Sequence, residues 1–537
     1  MTPRLATADG RGLDSGRMTR PHRPPSAPRT AGIATALPIA AAVLAAVVVF
    51  QGALDYYFSQ DDFLGLARAS GLAPRLDQPW RYIANQATWD LLRPLGTASA
   101  WPYHLFSLLV HAGCVALLYD LLARRLAPWA AFLGASFFAV HPSLYSALYW
   151  TSTVGDALAL AFALLVLRIQ GRRDRWRWLA VPLFAFSLLS KESLILLPVA
   201  AAAYRAWAVP GSVRVPGSGT PLPRSRSIDG VLAALAAVSL LYAAYFLTVA
   251  YGSYFVARGT GASARAPYAL GWGVNLWENL LTYLGWSVAF ALPWVHAFGD
   301  SVDPGVFPWA AAAAAIWLAG FAWPRLRAHG WLFGGVAWLL FVLPALPLRN
   351  HTYHYYLYAP LAGAAWCVAA AAHVALPSAR MAWGIAAAAV AALTLNGALL
   401  VRKIETMPFV LPVLRADPTV DRARIAWTVH ESLAMAGLPA GVTLLFWSPT
   451  AASLGPRGEP LGAPAPTATY WERNVSAALL GGLAVRVMFP QVAEARFVRE
   501  FRPTPPNEVY AAYLPNGDVR IFRSVEVDSI LKRRASP

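Results

Sequence analysis

The chain has 537 residues, 57% of them hydrophobic and 13% charged, a composition that excludes a soluble globular domain. A formal net charge of +17 raises the question of nucleic acid, but the basic residues stand in short clusters between apolar stretches and not along one face, the pattern of cytoplasmic loops in a multi-pass membrane protein. Cys114 and Cys367 both fall in apolar segments without metal-ligand spacing, which argues against a disulfide framework or a zinc site.

Residues 1–30 hold six arginines among Pro, Ser, Thr and Gly and read as a disordered, basic cytoplasmic tail. Ala31 to Phe50 follows as a signal anchor, with about the 20 apolar residues that a bilayer requires. Basic clusters then recur at Arg124-Arg125, Arg168 to Arg177, Arg205 to Arg226, Arg325-Arg327 and Arg380, each after a helix-length apolar run. The intervening loops, 53–100, 141–155, 251–275 and 295–308, are poor in Lys and Arg and are expected to face outward. This pattern predicts helices near 31–52, 102–123, 128–141, 155–169, 179–190, 193–207, 229–250, 309–324, 331–347, 357–376 and 382–401. Segment 276–294 breaks the parity and is expected to be a re-entrant or interfacial helix ending at Pro293-Trp294.

The domain so defined, 31–401, is an α-helical polytopic membrane domain of about 11–12 spanning or re-entrant helices. From 402 to 537 the chain gains charge and proline, and no further apolar span follows. Val442 to Trp447 reads as a buried strand, and Tyr510 to Ser524 alternates about Asn516-Gly517 as a hairpin does, so a small α+β soluble domain is expected. Leu454 to Thr467, rich in Gly and Pro, reads as a loop. Parity places this domain outside the membrane, although Arg402-Lys403 points mildly the other way.

Polar groups concentrate in the loops assigned outward. Asp61-Asp62 lies just past the first span, where a carboxylate must stay hydrated, hold a cation or accept a proton. Arg93-Pro94 ends the same loop, and Val140-His141-Pro142 leads through an aromatic turn to Gly155-Asp156, whose carboxylate also suits a helix N-terminus. Lys191-Glu192 interrupts nearly 30 apolar residues and marks a turn between two short spans, either as a structural ion pair or as part of a polar site. Arg349, His351 and His354 stand among tyrosines at a further outward helix end, while His104 and His111, seven apart, share one helix face and read as packed core histidines. There is no phosphate-binding glycine loop, nucleophile elbow or His-Glu-x-x-His motif to support soluble-nucleotide chemistry.

The order of Ser59-Gln60-Asp61-Asp62-Phe63, Leu92-Arg93-Pro94-Leu95, Tyr103-His104 with Val110-His111, Val140-His141-Pro142 through Gly155-Asp156, Leu189-Ser190-Lys191-Glu192 and Leu343-Pro344 through Tyr358-Ala359-Pro360 resembles the GT-C superfamily of polytopic glycosyltransferases. The likeness is greatest to the transmembrane O-mannosyltransferases that carry tetratricopeptide repeats and to their bacterial relatives, and it covers roughly residues 31 to 400. Residues 402–537 show no 34-residue period, so the repeats themselves are missing.

The resemblance implies transfer of a sugar from a polyprenyl-phosphate carrier to a protein, lipid or glycan acceptor, at the outward face of what would be a bacterial inner membrane. It gives Asp61 or Asp62 the part of base without distinguishing the two; our reading leans slightly toward Asp62. It gives Arg93, His141, Asp156, Lys191, Glu192, Arg349, His351 and His354 the part of substrate binding. No cofactor is called for, a divalent metal is neither required nor excluded, and no nucleic acid is expected as a partner. A flippase of lipid-linked sugars, or an envelope-assembly protein without chemistry, is the competing reading. Charges gathered at helix ends and the lack of an internal repeat favour the enzyme.

Overall fold

The computed structural model describes residues 31–97, 99–170, 172, 174–208, 229–256, 268–289, 304–376, 379–406, 418–447, 474–498, 502–503, 505–513 and 519–535. The expected basic tail, Pro293-Trp294, the Gly/Pro-rich 454–467 loop and Asn516-Gly517 lie outside these residues.

Apolar runs of bilayer length become helices because in lipid every backbone amide and carbonyl must be paired within its own segment. In chain order these begin with α1 (Ala31–Phe50), the amphipathic α2 (Asp61–Ser70), the short α3 (Thr88–Leu92), α4 (Trp101–Ala123), α5 (Pro128–Ala139) and α6 (Tyr145–Tyr149). They continue as α7 (Val154–Ile169), α8 (Ala180–Ser190), α9 (Leu197–Ala208), α10 (Gly230–Tyr245) and α11 (Val274–Trp286). The membrane part closes with α12 (Phe307–Ala322), α13 (Pro324–Ala328), α14 (Trp331–Val342), α15 (Tyr358–Ala375) and α16 (Ala379–Thr406). Among the described residues six helices are long and apolar enough to cross a membrane, or seven if α5 and the Pro142–Tyr149 segment, bent by 47° at the His141-Pro142 break, form one span. The chain is a multi-pass integral membrane protein. α12 and α14, read from sequence as spans, are shorter apolar helices, so the count of full-length spans falls below the number of apolar segments. The parity-breaking segment falls in α11, of 13 residues, with Trp277 exposed.

The C-terminal part begins with α17 (Pro418–Ala436) and contains a four-stranded mixed sheet: β1 (Thr443–Trp447), β2 (Glu494–Val498), β3 (Glu508–Tyr513) and β4 (Val519–Arg523), in the order β2-β1-β3-β4. β1 runs parallel to both β2 and β3, and β3 and β4 pair antiparallel with Tyr513 opposite Val519, flanking the expected hairpin turn. β1 is central and hence almost wholly apolar, Thr-Leu-Leu-Phe-Trp, as a strand covered on both faces must be.

This small domain does not stand alone. Tyr57, Phe58, Phe63, Leu66 and Trp89 of the 53–100 loop share one apolar core with Val429, Leu433, Val485 and Phe489. Gln60 N–H donates to the Ala478 carbonyl at 3.0 Å. At the opposite end of the bundle Arg124 and Arg168 both pair with Asp120, and Arg177 and Arg205 with Asp229. The basic clusters and the Asp61-Asp62 loop therefore occupy opposite ends.

Candidate active site

Asp61 and Asp62 are consecutive but face different surroundings. Gln60, at φ 55°, holds a backbone conformation that non-glycine residues rarely adopt, and it sets the entry to α2. Asp62 is buried; its Oδ2 accepts from Ser59 N–H at 3.0 Å, as the returning arm of a capping box does. Its Oδ1 accepts from both the N–H and the hydroxyl of Ser152, each at 2.7 Å. Asp62 thus stitches the 53–100 loop to the 151–153 turn. Burial pushes its pKa up to about 7 against these hydrogen bonds, with the like charge of Asp61 adding to the rise.

Asp61 instead opens onto a cavity of about 70 Å³ that it shares with Arg68, Arg81, Asn85, Ser152 and Lys191, under the rings of Trp80, Trp89, Trp150, Tyr268 and Tyr355. Gly65 lets this wall close: a Cβ there would lie 2.3 Å from the Trp89 ring. Desolvation by the surrounding protein raises the Asp61 pKa above the ordinary carboxylate range, while Arg81, Arg68, Arg422 and Lys191 pull it back.

The cation opposite comes from the break between α8 and α9. Lys191 is extended (φ −158°, ψ 134°), so the helix stops and its ammonium turns inward, 3.0 Å from Asp156 Oδ2. The approach depends on Gly155, where a Cβ would stand 2.8 Å from the Ser190 carbonyl oxygen. Lys191 also lies 5.0 Å from the centre of the Tyr355 ring and 5.6 Å from that of Tyr356. Burial and the charge of Arg81 lower its pKa, and Asp156 and Glu192 oppose the fall.

Arg81 is the element that sequence reasoning underweighted. It sits at φ 51°, stacks on Trp80 at 4.6 Å, and grips Glu192 with a two-pronged ion pair, Nε to Oε2 at 2.7 Å and Nη2 to Oε1. Burial works to raise the Glu192 pKa, but Arg81 and Lys191 hold it at about 2. This pair forms the wall between the polar cleft and a second cavity of about 150 Å³, apolar along Ile195, Phe246, Leu270, Pro344, Ala345 and Leu348; Arg81 and Tyr268 line both.

Of the residues expected here, Asp61 and Lys191 line the cleft, Glu192 the adjoining apolar cavity, and Asp156 backs Lys191 from below the surface. His351 stands just behind, its Nε2 2.8 Å from the Tyr355 hydroxyl and its ring 4.3 Å from that of Tyr268. Four residues lie elsewhere. Arg93 and Arg349 are exposed and line none of the described cavities, because Arg93 opens a short 3-10 turn, Arg93–Leu95, at the surface and Arg349 leaves toward solvent after its N–H bonds the Ala269 carbonyl. His141 is buried, accepting from Ser143 N–H and lying 3.2 Å from the Ser287 carbonyl, where it caps the turn after α5. His354 is buried against Trp286 with ring centres 3.9 Å apart. His104 and His111 contact the Leu148 and Ala139 carbonyls and the Tyr358 hydroxyl inside the helix bundle. Among the described residues no three His, Cys, Asp or Glu side chains gather to hold a metal ion.

Together these groups present a solvent-accessible carboxylate and three cations, Arg68, Arg81 and Lys191, around one small polar cavity, beside an apolar cavity at helix ends. Such an arrangement can take a proton from a hydroxyl and hold a departing phosphate.

Residues 88–218 match the sequence profile of the family described as dolichyl-phosphate-mannose-protein mannosyltransferase. The matched stretch includes Asp156, Lys191 and Glu192, while Asp61 precedes it. Among solved structures, the crystal structure of ArnT from Cupriavidus metallidurans bound to undecaprenyl phosphate is similar, with 14% identity, 76% of this chain and 73% of that chain covered, and a TM-score of 0.39. No curated protein sequence matches the chain.

Proposed function

We propose that the chain is a membrane glycosyltransferase that moves a sugar from a polyprenyl-phosphate carrier to an acceptor hydroxyl, with Asp61 as the base. The observation that carries this reading is the cleft in which the open Asp61 carboxylate faces Arg81 and Lys191, next to an apolar cavity with which it shares Arg81 and Tyr268. The profile match over 88–218, to a family named for a lipid-phosphate sugar, supports the choice of donor.

The acceptor O–H gives its proton to Asp61 as its oxygen attacks the anomeric carbon. The anomeric C–O bond breaks, the electron pair leaves with the lipid phosphate, and configuration inverts. Arg81 and Lys191 stabilise the phosphate as charge develops, an effect strongest in a site that excludes water. Asp62, with both oxygens already engaged, positions the 151–153 turn and is not the base. The isoprenoid chain would follow the apolar cavity, and the arginine pairs at the far end of the bundle support an outward-facing site in a bacterial inner membrane. The order of motifs from Asp61 to Pro360 supports kinship with the repeat-bearing O-mannosyltransferases in particular.

The test is transfer by the purified full chain in nanodiscs with radiolabelled polyprenyl-phosphate hexoses and pentoses. Asp61→Asn should lower kcat by roughly 10²–10⁴-fold while donor binding persists. An Asp61→Asn protein that turns over at the wild-type rate would remove the base.

A further inference from the structure

A second polar cavity, of about 540 Å³, lies where the ends of α1 and α16 meet α17. Its volume falls in the range of roughly 300–1,000 Å³ usual for small-molecule sites. Asp55 and Tyr56 close it from the end of α1, Arg402 and Glu405 from the end of α16, and Arg424 and Trp427 from α17.

The walls are built. A Cβ at Gly52 would stand 2.1 Å from Glu405 Oε1 and 2.8 Å from the Tyr149 hydroxyl, so glycine is what admits the Glu405 carboxylate against the chain. That carboxylate is 7% exposed as a residue and accepts from the Tyr149 hydroxyl and, at 3.1 Å, from Arg402 Nη1. Arg424 donates to the Tyr56 hydroxyl at 3.3 Å. Trp427 lies nearly parallel to His430, with ring centres 5.4 Å apart and planes at 20°, yet keeps 42% of its surface exposed.

Two carboxylates balance two guanidinium groups, so the cavity carries no net charge to collect a phosphate. It offers acceptors and donors in alternation beside a firmly stacked, partly bare indole. Vicinal hydroxyls use both kinds of polar partner, and the flat C–H face of a pyranose covers an aromatic ring. The cavity flanks the transfer cleft through two short connections: Tyr56 precedes Asp61 by five residues, and Tyr149 precedes Ser152, the partner of Asp62, by three.

We propose that this cavity is a saccharide-binding site, which holds the sugar chain of a glycan acceptor beside the transfer cleft. The acceptor role rests on the transferase reading above; the binding does not.

Saturation-transfer NMR on the full chain in nanodiscs, with chitotriose, mannotriose and arabinotriose as probes and no donor present, tests it directly. At least one trisaccharide should bind. Trp427→Ala should weaken that binding about tenfold, and Trp427→Phe should keep most of it. Arg402→Ala, whose side chain is 74% exposed, should weaken it as well, which covers the case of a misfolded Trp427→Ala protein. Saturation by none of the three sugars, binding of inorganic phosphate alone, or sugar binding indifferent to both Trp427 and Arg402 overturns the proposal. Because no donor is present, a failure of the transferase reading would leave these results standing.

Discussion

The Lys191–Asp156 pair can be perturbed so that its structural and chemical parts separate. Its side chains are 7% and 4% exposed and meet at 3.0 Å, so each charge depends on the other for what water no longer provides. Lys191→Met leaves the Asp156 carboxylate buried without its cation, which should cost about 3–5 kcal/mol. Replacing both, Lys191→Met with Asp156→Leu, removes the orphaned charge and should recover most of that loss, since an apolar pair of similar volume often equals a buried ion pair. Stability is read from unfolding titrations of the protein in detergent micelles, and the cycle gives the coupling directly. Transfer activity should follow a different pattern: the double variant folds but stays slow, because Lys191 also lines the cleft and nothing replaces its charge. A Lys191→Met protein destabilised by less than about 1 kcal/mol would refute the burial argument. A double variant with wild-type turnover would refute the assignment of Lys191 to the leaving phosphate.

Arg81 and Arg93 should part company. Arg81→Ala strands Glu192 and should lose both fold stability and donor binding, whereas Arg93→Ala, exposed and outside the cavities, should stay within about 0.5 kcal/mol of wild type and keep its transfer rate. Arg81→Lys should recover the charge but not the two-pronged grip, visible as a raised donor KM. The pH dependence of stability is also specified. Asp62, at about 7 when folded, holds its proton longer than the unfolded carboxylate does, so its contribution is complete below the ordinary carboxylate range and is lost as pH rises through 7. Asp421, raised by burial to about 6, acts in the same direction. Melting curves between pH 4 and 8 should therefore decline with pH, and Asp62→Asn should flatten part of the slope; an unchanged slope would count against the burial of Asp62 as its cause.

Periodicity and bilayer length made α1, α4, α7, α10, α15 and α16 legible from sequence, because an apolar run of that size has one solution in lipid. The strands flanking 516-517 were legible for a similar reason, alternation joined to turn chemistry. The meeting of Gly155-Asp156 with Lys191-Glu192 was foreshadowed only by a shared membrane side, since the contact needs a glycine whose missing Cβ is felt 35 residues away. Arg81 was harder still. Nothing in the order of residues shows that a positive φ at that position turns a guanidinium inward, while Arg93, next to a more recognisable proline, stays at the surface. The division between Asp61 and Asp62 was likewise set by partners distant in sequence, Ser152 above all, and one-residue differences of environment leave no trace in motif order.

The C-terminal part belongs to the site as much as the loop that bears the aspartates. Gln60 keeps its φ of 55° while its N–H is held by Ala478 and its side-chain oxygen by Arg422 of α17. Arg422 also acts on Asp61 directly, as one of the charges that restrain its raised pKa. Arg422→Ala should consequently do two things: loosen the entry to α2, and let the Asp61 pKa climb further as a counter-charge is removed. If Asp61 must be ionised to act, the acid limb of the kcat/KM profile should move to higher pH, with the plateau at alkaline pH less affected. Arg422→Lys should restore the position of the limb in large part, since the charge survives even where the bond to Gln60 does not. A profile superimposable on wild type, in a variant that melts normally, would show that the small domain supports the loop without tuning its carboxylate.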